Sequence, residues 1–395
     1  MADNANNTRK EIYLDNSATT PLSESAKEAI AIACEAYGNP SSLHSRGQEA
    51  EKLLSLSRER LMTALGAKKR EDTVIFTSSG TEATALALTG TAFAKKRRDA
   101  LRILITDSEH PSVTRTAERI GEEGFEVVKI PTRGGVLDMD ALGAALDRPV
   151  LMASFMLVNN ETGAIYDVAR AFELIKEKYP DAVTHCDAVQ GFMKLPFTPA
   201  TLRADLITVS GHKIHAPKGV GALYISGEMI KRKRIAPLIL GGGQERGFRS
   251  GTENMMGICA FGAAAEDMRL NRDEISRHFE ELYAYASDSL SPLGVRINRP
   301  EGRYVHHIIN ITVPNIKSET LLHFLSADGV FVSSGSACSS HSTAPSSALI
   351  SFGLSPADAD SSLRISFSRY NSKEDIDALI RSLKGALSRL VRIKR

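Results

Sequence analysis

Cysteine is scarce in this chain of 395 residues: there are four, Cys34, Cys186, Cys259 and Cys338, and no two form a C-x-x-C pair. That spacing argues against a disulfide framework or a four-cysteine zinc site, and it predicts reduced thiols. Long apolar runs are missing too, none approaching the roughly 18 residues that a membrane span needs. The opening MADNANNTRKE lacks the apolar core of a secretory signal and reads as a polar tail, so the expected location is the cytoplasm. An excess of charge is absent as well: 49 basic against 47 acidic residues leave a formal +2, which gives no electrostatic ground for a nucleic-acid ligand. The short basic clusters at 95–98 and 231–234 read as solvated helix ends. No internal repeat or low-complexity tract is evident.

With 42% hydrophobic and 24% charged residues, the composition is that of an ordinary globular protein. The length exceeds what one core usually serves, which predicts two domains, or a large one with a small one appended. From Thr73 to Ile225, seven apolar, β-branched runs (TVIFTS, RILITD, EVVKI, VLMASFMLV, AVTHC, DLITVS and GALYIS) alternate with segments of helical period. That rhythm predicts an α/β fold, a mostly parallel sheet covered by helices on both faces, with its site at the carboxyl ends of the strands. After Thr252 one long helix-forming stretch runs to SDSL, and the runs VHHIINITV, GVFVSS and SLRISF with a helix from about Ser372 predict a smaller α+β domain. The boundary is expected near residue 265.

Several residues at predicted strand ends carry chemistry. Lys213, in SGHKIHAPKG, is placed for a partly desolvated amine able to form a Schiff base, or for a lysine snorkelling from a strand end. Asp187, in HCDAVQG, pairs with a protonated pyridine nitrogen or caps a turn. The turn Ser78-Ser79-Gly80-Thr81 between a strand and a helix suits phosphate without the spacing of a Walker loop. GGGQERGFRSGTEN is a second anion site or a plain loop. His110 in SEHPSV is a stacking or proton-shuttling imidazole or a structural one. Arg364 holds a carboxylate or makes a surface ion pair. Cys338 and His341 form C-x-x-H without a second half, so no metal site is expected. Cys34, Cys186 and Cys259 read as packing residues. Cys338, among serines and glycine, reads as an accessible thiol on a mobile loop and a candidate nucleophile.

In this order IYLDNSATTP, GNPSSLHSRG, FTSSGTEA, SEH, VNNETG, HCDAVQ, SGHKIHAPKG, GGGQERGFRSGT, SSGSACSS and SSLRISFSR resemble the group I cysteine desulfurases, the NifS/IscS type. These are fold-type-I pyridoxal phosphate enzymes of the class V aminotransferase family. The resemblance implies a seven-stranded large domain over 19–264, a small domain over 265–395 with the catalytic cysteine loop, and an N-terminal segment 1–18 packing with the small domain. It makes Lys213 the Schiff-base lysine, Asp187 the pyridinium partner, Gln190 the residue near the phenolic oxygen and His110 the stacked histidine. Gly80, Thr81, Ser210 and His212 match the phosphate cradle, with Thr252 reaching it from a partner subunit. Asn160 matches a further cofactor contact, and Asn39 and Arg364 match residues that hold the substrate carboxylate. Cys338 matches the cysteine that receives sulfur from L-cysteine and passes it to an acceptor protein such as an iron–sulfur scaffold. A homodimer is implied.

Two departures stand out. Ala83-Thr84-Ala85 replaces the usual polar residues after the phosphate turn, and the sequence ends at VRIKR without the extension that housekeeping members use to dock a scaffold. The alternative expectation is a related lyase or aminotransferase, such as one acting on selenocysteine, which has no need of Cys338.

Overall fold

The computed structural model describes residues 11–67, 71–94, 101–334 and 345–390. The chain enters through a two-residue strand, β1 (Ile12–Tyr13), followed by helices α1 (Glu24–Glu35) and α2 (Ser45–Ala64). Strand and helix then alternate: β2 (Thr73–Thr77), α3 (Gly80–Ala92), β3 (Arg102–Thr106), α4 (Pro111–Gly121), β4 (Glu126–Ile130), α5 (Met139–Ala145) and β5 (Val150–Met156). The series continues with α6 (Val168–Lys178), β6 (Val183–Asp187), the single turn α7 (Pro199–Leu202), β7 (Leu206–Ser210), β8 (Gly221–Ile225) and the short α8 (Gly227–Lys231).

All seven apolar runs are strands of one sheet, ordered β2-β8-β7-β6-β5-β3-β4, in which only β8 runs antiparallel to its neighbours. Every residue of β2, β3, β5, β6, β7 and β8 is buried, because helices cover both faces; this is why these segments read as continuous apolar runs without alternation. β4, at one edge, exposes Glu126 and Lys129. One core around Ile75, Leu86, Ile103, Leu151 and Leu223 lies under α3 and α4. The other starts at Phe155, Phe172 and Cys186 and continues to Ile309, Leu363 and Ile376 of the chain's later part.

That later part comprises helices α9 (Met255–Leu270), α10 (Arg272–Leu290), α11 (Ser318–Ala327), α12 (Ser347–Phe352), α13 (Pro356–Ala359) and α14 (Lys373–Arg389). Its strands are β9 (Arg296–Ile297), β10 (Ile308–Thr312), β11 (Val330–Phe331), β12 (Ser333–Ser334) and β13 (Ser362–Ser366). β12-β13-β10-β9 form an antiparallel sheet, and β1 pairs in parallel with β11. The helix-forming stretch after Thr252 is two helices, not one. Asn271 breaks it: its amide donates to both the main-chain oxygen and Oδ1 of Asp267 at 2.9 Å, so the side chain competes for groups the helix would use. α9 packs on α1 and α2 through small residues; a Cβ on Gly262 would lie 2.9 Å from the Ser57 Cα, so glycine lets the helices meet.

β2 is the other edge of the large sheet, and its outward main-chain groups need partners. Glu245 supplies one by accepting from the Phe76 N–H at 2.8 Å, while Arg58 donates to the Val74 carbonyl. The two side chains form a two-pronged ion pair at 2.8 and 2.9 Å, with Glu245 2% and Arg58 16% exposed at the side chain. Removing one partner strands the other, so Glu245→Ala is expected to lower the unfolding free energy in urea by about 3 kcal/mol or more. The apolar double variant Arg58→Met/Glu245→Leu is expected to lose less than the single one.

Candidate active site

The strand order reverses between β3 and β5: β4 lies outside β3, whereas β6, β7 and β8 follow on the far side of β5. The loops leaving the carboxyl ends diverge there and open a crevice. A cavity of about 230 Å³ is lined by the turn after β2, the His110 turn after β3, and the carboxyl ends of β5, β6 and β7 (Met156, Asp187 and Ser210) with the loops that leave them. Ser17, Ala18 and Arg364 complete its wall.

At one end α3 begins. Ser79 caps it by accepting from the Glu82 N–H, which leaves the first-turn N–H groups at Gly80 and Thr81 beside the cavity. A Cβ on Gly221 would come within 2.4 Å of the Ser79 carbonyl carbon, so only glycine lets β8 pass this turn. Ser210 Oγ is buried against Gly80 and has no hydrogen-bond partner among the described residues. An orphaned hydroxyl, helix N–H groups and His212 are the kind of donors that an anion needs. Glu82, the one acid of that turn, is engaged by Arg249 Nε at 2.9 Å.

In the middle of the cavity, Lys213 Nζ donates to the main-chain oxygens of Ser17 and Ala18 at 2.6 and 2.7 Å. Gln190 Nε2 shares the Ser17 oxygen at 2.9 Å. Asp187 Oδ1 accepts from the Val189 N–H at 3.0 Å. Burial pushes the Asp187 carboxyl up to about 6, while the Val189 N–H and the Lys213 charge pull it back. His110 precedes Pro111, the first residue of α4, and caps that helix through its ring. Nδ1 accepts from the Ser112 N–H at 3.1 Å, so the neutral ring carries its hydrogen on Nε2. Burial, with the Lys213 charge second, lowers His110 to about 4; the same two causes lower His212 to about 4. Both rings are uncharged at neutral pH.

Arg364 reaches the cavity from β13 of the small sheet and is 3% exposed. It donates to Asp15 Oδ1 at 2.7 Å and to the Asn160 main-chain oxygen at 3.0 Å, while its Nε is buried without a partner among the described residues. Of the residues singled out in the sequence, Gly80, Thr81, His110, Asn160, Asp187, Gln190, Ser210, His212, Lys213 and Arg364 therefore meet at one cavity.

Asn39 and Thr252 do not. Asn39 is exposed in the loop before α2, its Oδ1 accepting from the Ser41 N–H. Thr252 is exposed on a second cavity with Gly219, Arg249 and Glu253. Cys338 and His341 lie outside the described residues. Cys186 and Cys259 are buried as expected, but Cys34 is exposed, since its position on α1 faces outward beside Met256 Sδ at 3.5 Å. Sequence reasoning missed Ser17 and Ala18, which act through main-chain oxygens and leave no side-chain signature. It also passed over Lys194, which lies four residues after Gln190, and Glu109, which directly precedes His110.

The aminotransferase class-V family matches residues 12–379. A putative cysteine desulfurase IscS 1 of Bacillus subtilis is 36% identical over 384 residues, covering 96% of this chain and 99% of the relative. A cysteine desulfurase IscS of Dictyoglomus turgidum is 36% identical over 97% of this chain and 96% of its own length. Among solved structures, a NifS-like protein superposes with a TM-score of 0.89 at 33% identity, covering 96% of this chain and all of its own. One from Rickettsia africae gives 0.86 at 31% identity over the same shares. Through a match that spans nearly its whole length, together with this strand-end cavity, the chain belongs to the aminotransferase class-V family.

Proposed function

We propose that the protein is a cysteine desulfurase that uses pyridoxal 5′-phosphate to take sulfur from L-cysteine and release L-alanine. One observation carries this reading: Lys213, a buried Asp187, a neutral His110 and the unpartnered Ser210 hydroxyl line a single cavity, in a chain whose relatives are named cysteine desulfurases. The donor set fits the cofactor. Gly80, Thr81, Ser210 and His212 would hold its phosphate, Asp187 its ring nitrogen, Gln190 and Asn160 further ring contacts, and His110 its face. When bound, the group supplies an aldehyde that condenses with amines and a sink for electrons released at Cα.

The protein's own residues do the rest. Arg364 orients the substrate carboxylate, which fixes the reacting carbon against Lys213. Lys213 Nζ takes the Cα proton. The Cys338 thiolate attacks the substrate sulfur; the S–S bond forms as the Cβ–S bond breaks. The substrate sulfur is thereby oxidised to the persulfide level and Cβ is reduced, and the carbon skeleton takes up protons and leaves as L-alanine. The Cys338 persulfide passes its outer sulfur to an acceptor protein, for example an iron–sulfur scaffold.

The working unit is a homodimer, with Thr252 acting at the partner's phosphate site. Thr252 and Asn39 are exposed, as are the large apolar side chains Ile32, Leu43, Leu240 and Met256, which a second copy would cover. Residues 19–264 form the larger domain and 265–395 the smaller. The segment before residue 19 joins the smaller one, a division supported by the β1–β11 pairing and the Asp15–Ser366 bridge. Among the described residues no helix is long and apolar enough to cross a membrane, and the cytoplasm is the proposed location.

Lys213→Ala protein is expected to lose the borohydride-trapped cofactor adduct, with sulfide and alanine release falling to background. Cys338→Ala is expected to keep the cofactor's absorbance while cysteine-dependent sulfide release disappears. Undiminished alanine production by that variant, with a thiol acceptor present, would overturn the desulfurase reading in favour of a lyase independent of Cys338.

A further inference from the structure

Behind the cavity lies a carboxyl group that the mechanism above does not use. Glu109 directly precedes His110 and is 4% exposed. Its side chain spans from the end of β3 to the end of β5: Oε1 accepts from Thr106 Oγ1 at 2.7 Å and from the Met156 N–H at 2.8 Å. Oε2 is buried and has no hydrogen-bond partner, and Glu109 makes no ion pair among the described residues.

The ionisable groups facing it come from neighbouring elements. Asp187 on β6 is the charged one; Cys186 beside it and Tyr166 before α6 are held in their protonated forms by the same burial. Two carboxyl groups in one dry region do not both ionise cheaply. Asp187 is the better placed to keep its charge, since the Val189 N–H and the Lys213 ammonium both favour the ionised form. A bare anionic oxygen such as Glu109 Oε2 costs more than an acid hydroxyl lacking one acceptor. Burial accordingly pushes Glu109 up to about 8, with Asp187 adding to the rise, against about 6 for Asp187 itself.

We propose that Glu109 is an uncharged carboxylic acid at neutral pH, a positioning residue that ties the His110 turn to the end of β5 and leaves Asp187 as the single carboxylate charge on this wall. The consequence rests on the reading of Asp187 as partner of a cationic ring nitrogen: one cation then meets one anion, and the site carries no surplus negative charge against a phosphorylated ligand. Thr106 and Met156 need only an acceptor, which the neutral acid still offers through Oε1.

Infrared difference spectra of the holoenzyme test this directly. They are best recorded in a Glu161→Gln background, because burial pushes Glu161 up to about 7 and it contributes a second protonated carboxyl. At pH 7, adding Glu109→Gln is expected to remove a protonated-carboxyl C=O stretch that titrates near pH 8 in its parent. The same variant, close to isosteric with the neutral acid, is expected to change the pyridoxal phosphate Kd by less than about threefold. Asp187→Asn, which strips a buried ion of its partner, is expected to weaken it about 100-fold or more. Loss of carboxylate bands instead of the protonated stretch, or a Kd raised more than about tenfold in a Glu109→Gln protein of unchanged melting temperature, overturns the proposal. If the glutamine variant fails to fold, ¹³C-labelled glutamate in the parent reports the same stretch by its isotope shift, and absence of a shifted band overturns the proposal equally. Tight cofactor binding by Asp187→Asn with the Glu109 stretch present overturns the role given to Asp187 and upholds the neutral Glu109.

Discussion

The Lys213 ammonium rests on two main-chain oxygens that lie 196 and 195 residues earlier in the chain. A buried cation must be met by oppositely directed dipoles or charges, and here the dipoles come from the segment that follows β1. That segment is itself held elsewhere: the Ser17 N–H donates to Ser366 Oγ, and the Asn16 amide donates to the Ser366 main-chain oxygen. One lysine at the end of a strand in the large sheet thus depends on an N-terminal stretch that depends on the small sheet. The catalytic geometry is a property of the whole chain, assembled from parts that are far apart in sequence.

Removal of water does the next share of the work. The same burial raises acids and lowers bases. It leaves His110 and His212 neutral, lifts Asp187 and Glu109, and depresses Lys194 to about 7, with the Lys213 and Arg364 charges adding to that last shift. Groups with a charged or multiply donating partner keep their charge. The protonation pattern follows from which side chains found such partners at the strand ends.

Much of this was legible in the sequence. Six of the seven strands of the large sheet were readable because both of their faces are covered, so each run is largely apolar and bounded by polar turns; the edge strand β4 was readable from its β-branched centre alone. Lys213, Asp187 and His110 stood out because they follow such runs. Ser17 and Ala18 left no trace, since a main-chain oxygen has no residue code. β1 and β9 are two residues each and carry no period. The break at Asn271 depends on a side-chain competition that periodicity does not register. Asn39 and Thr252 carry no strand-end signal at all: Asn39 was placed by resemblance alone and Thr252 only by a glycine-rich loop, and within one chain they stand apart from the cavity.

Arg364 arrives at the cavity already bound to a carboxylate, that of Asp15. The guanidinium still has its Nε N–H without a partner among the described residues, so an acid arriving from the cavity finds a cation already half-neutralised with a donor left to use. Asp15 bridges to Ser366 and follows β1, so the carboxylate sharing the guanidinium is tied to the small sheet. The charge met by a ligand on this wall is thereby set by the N-terminal stretch as well as by the arginine.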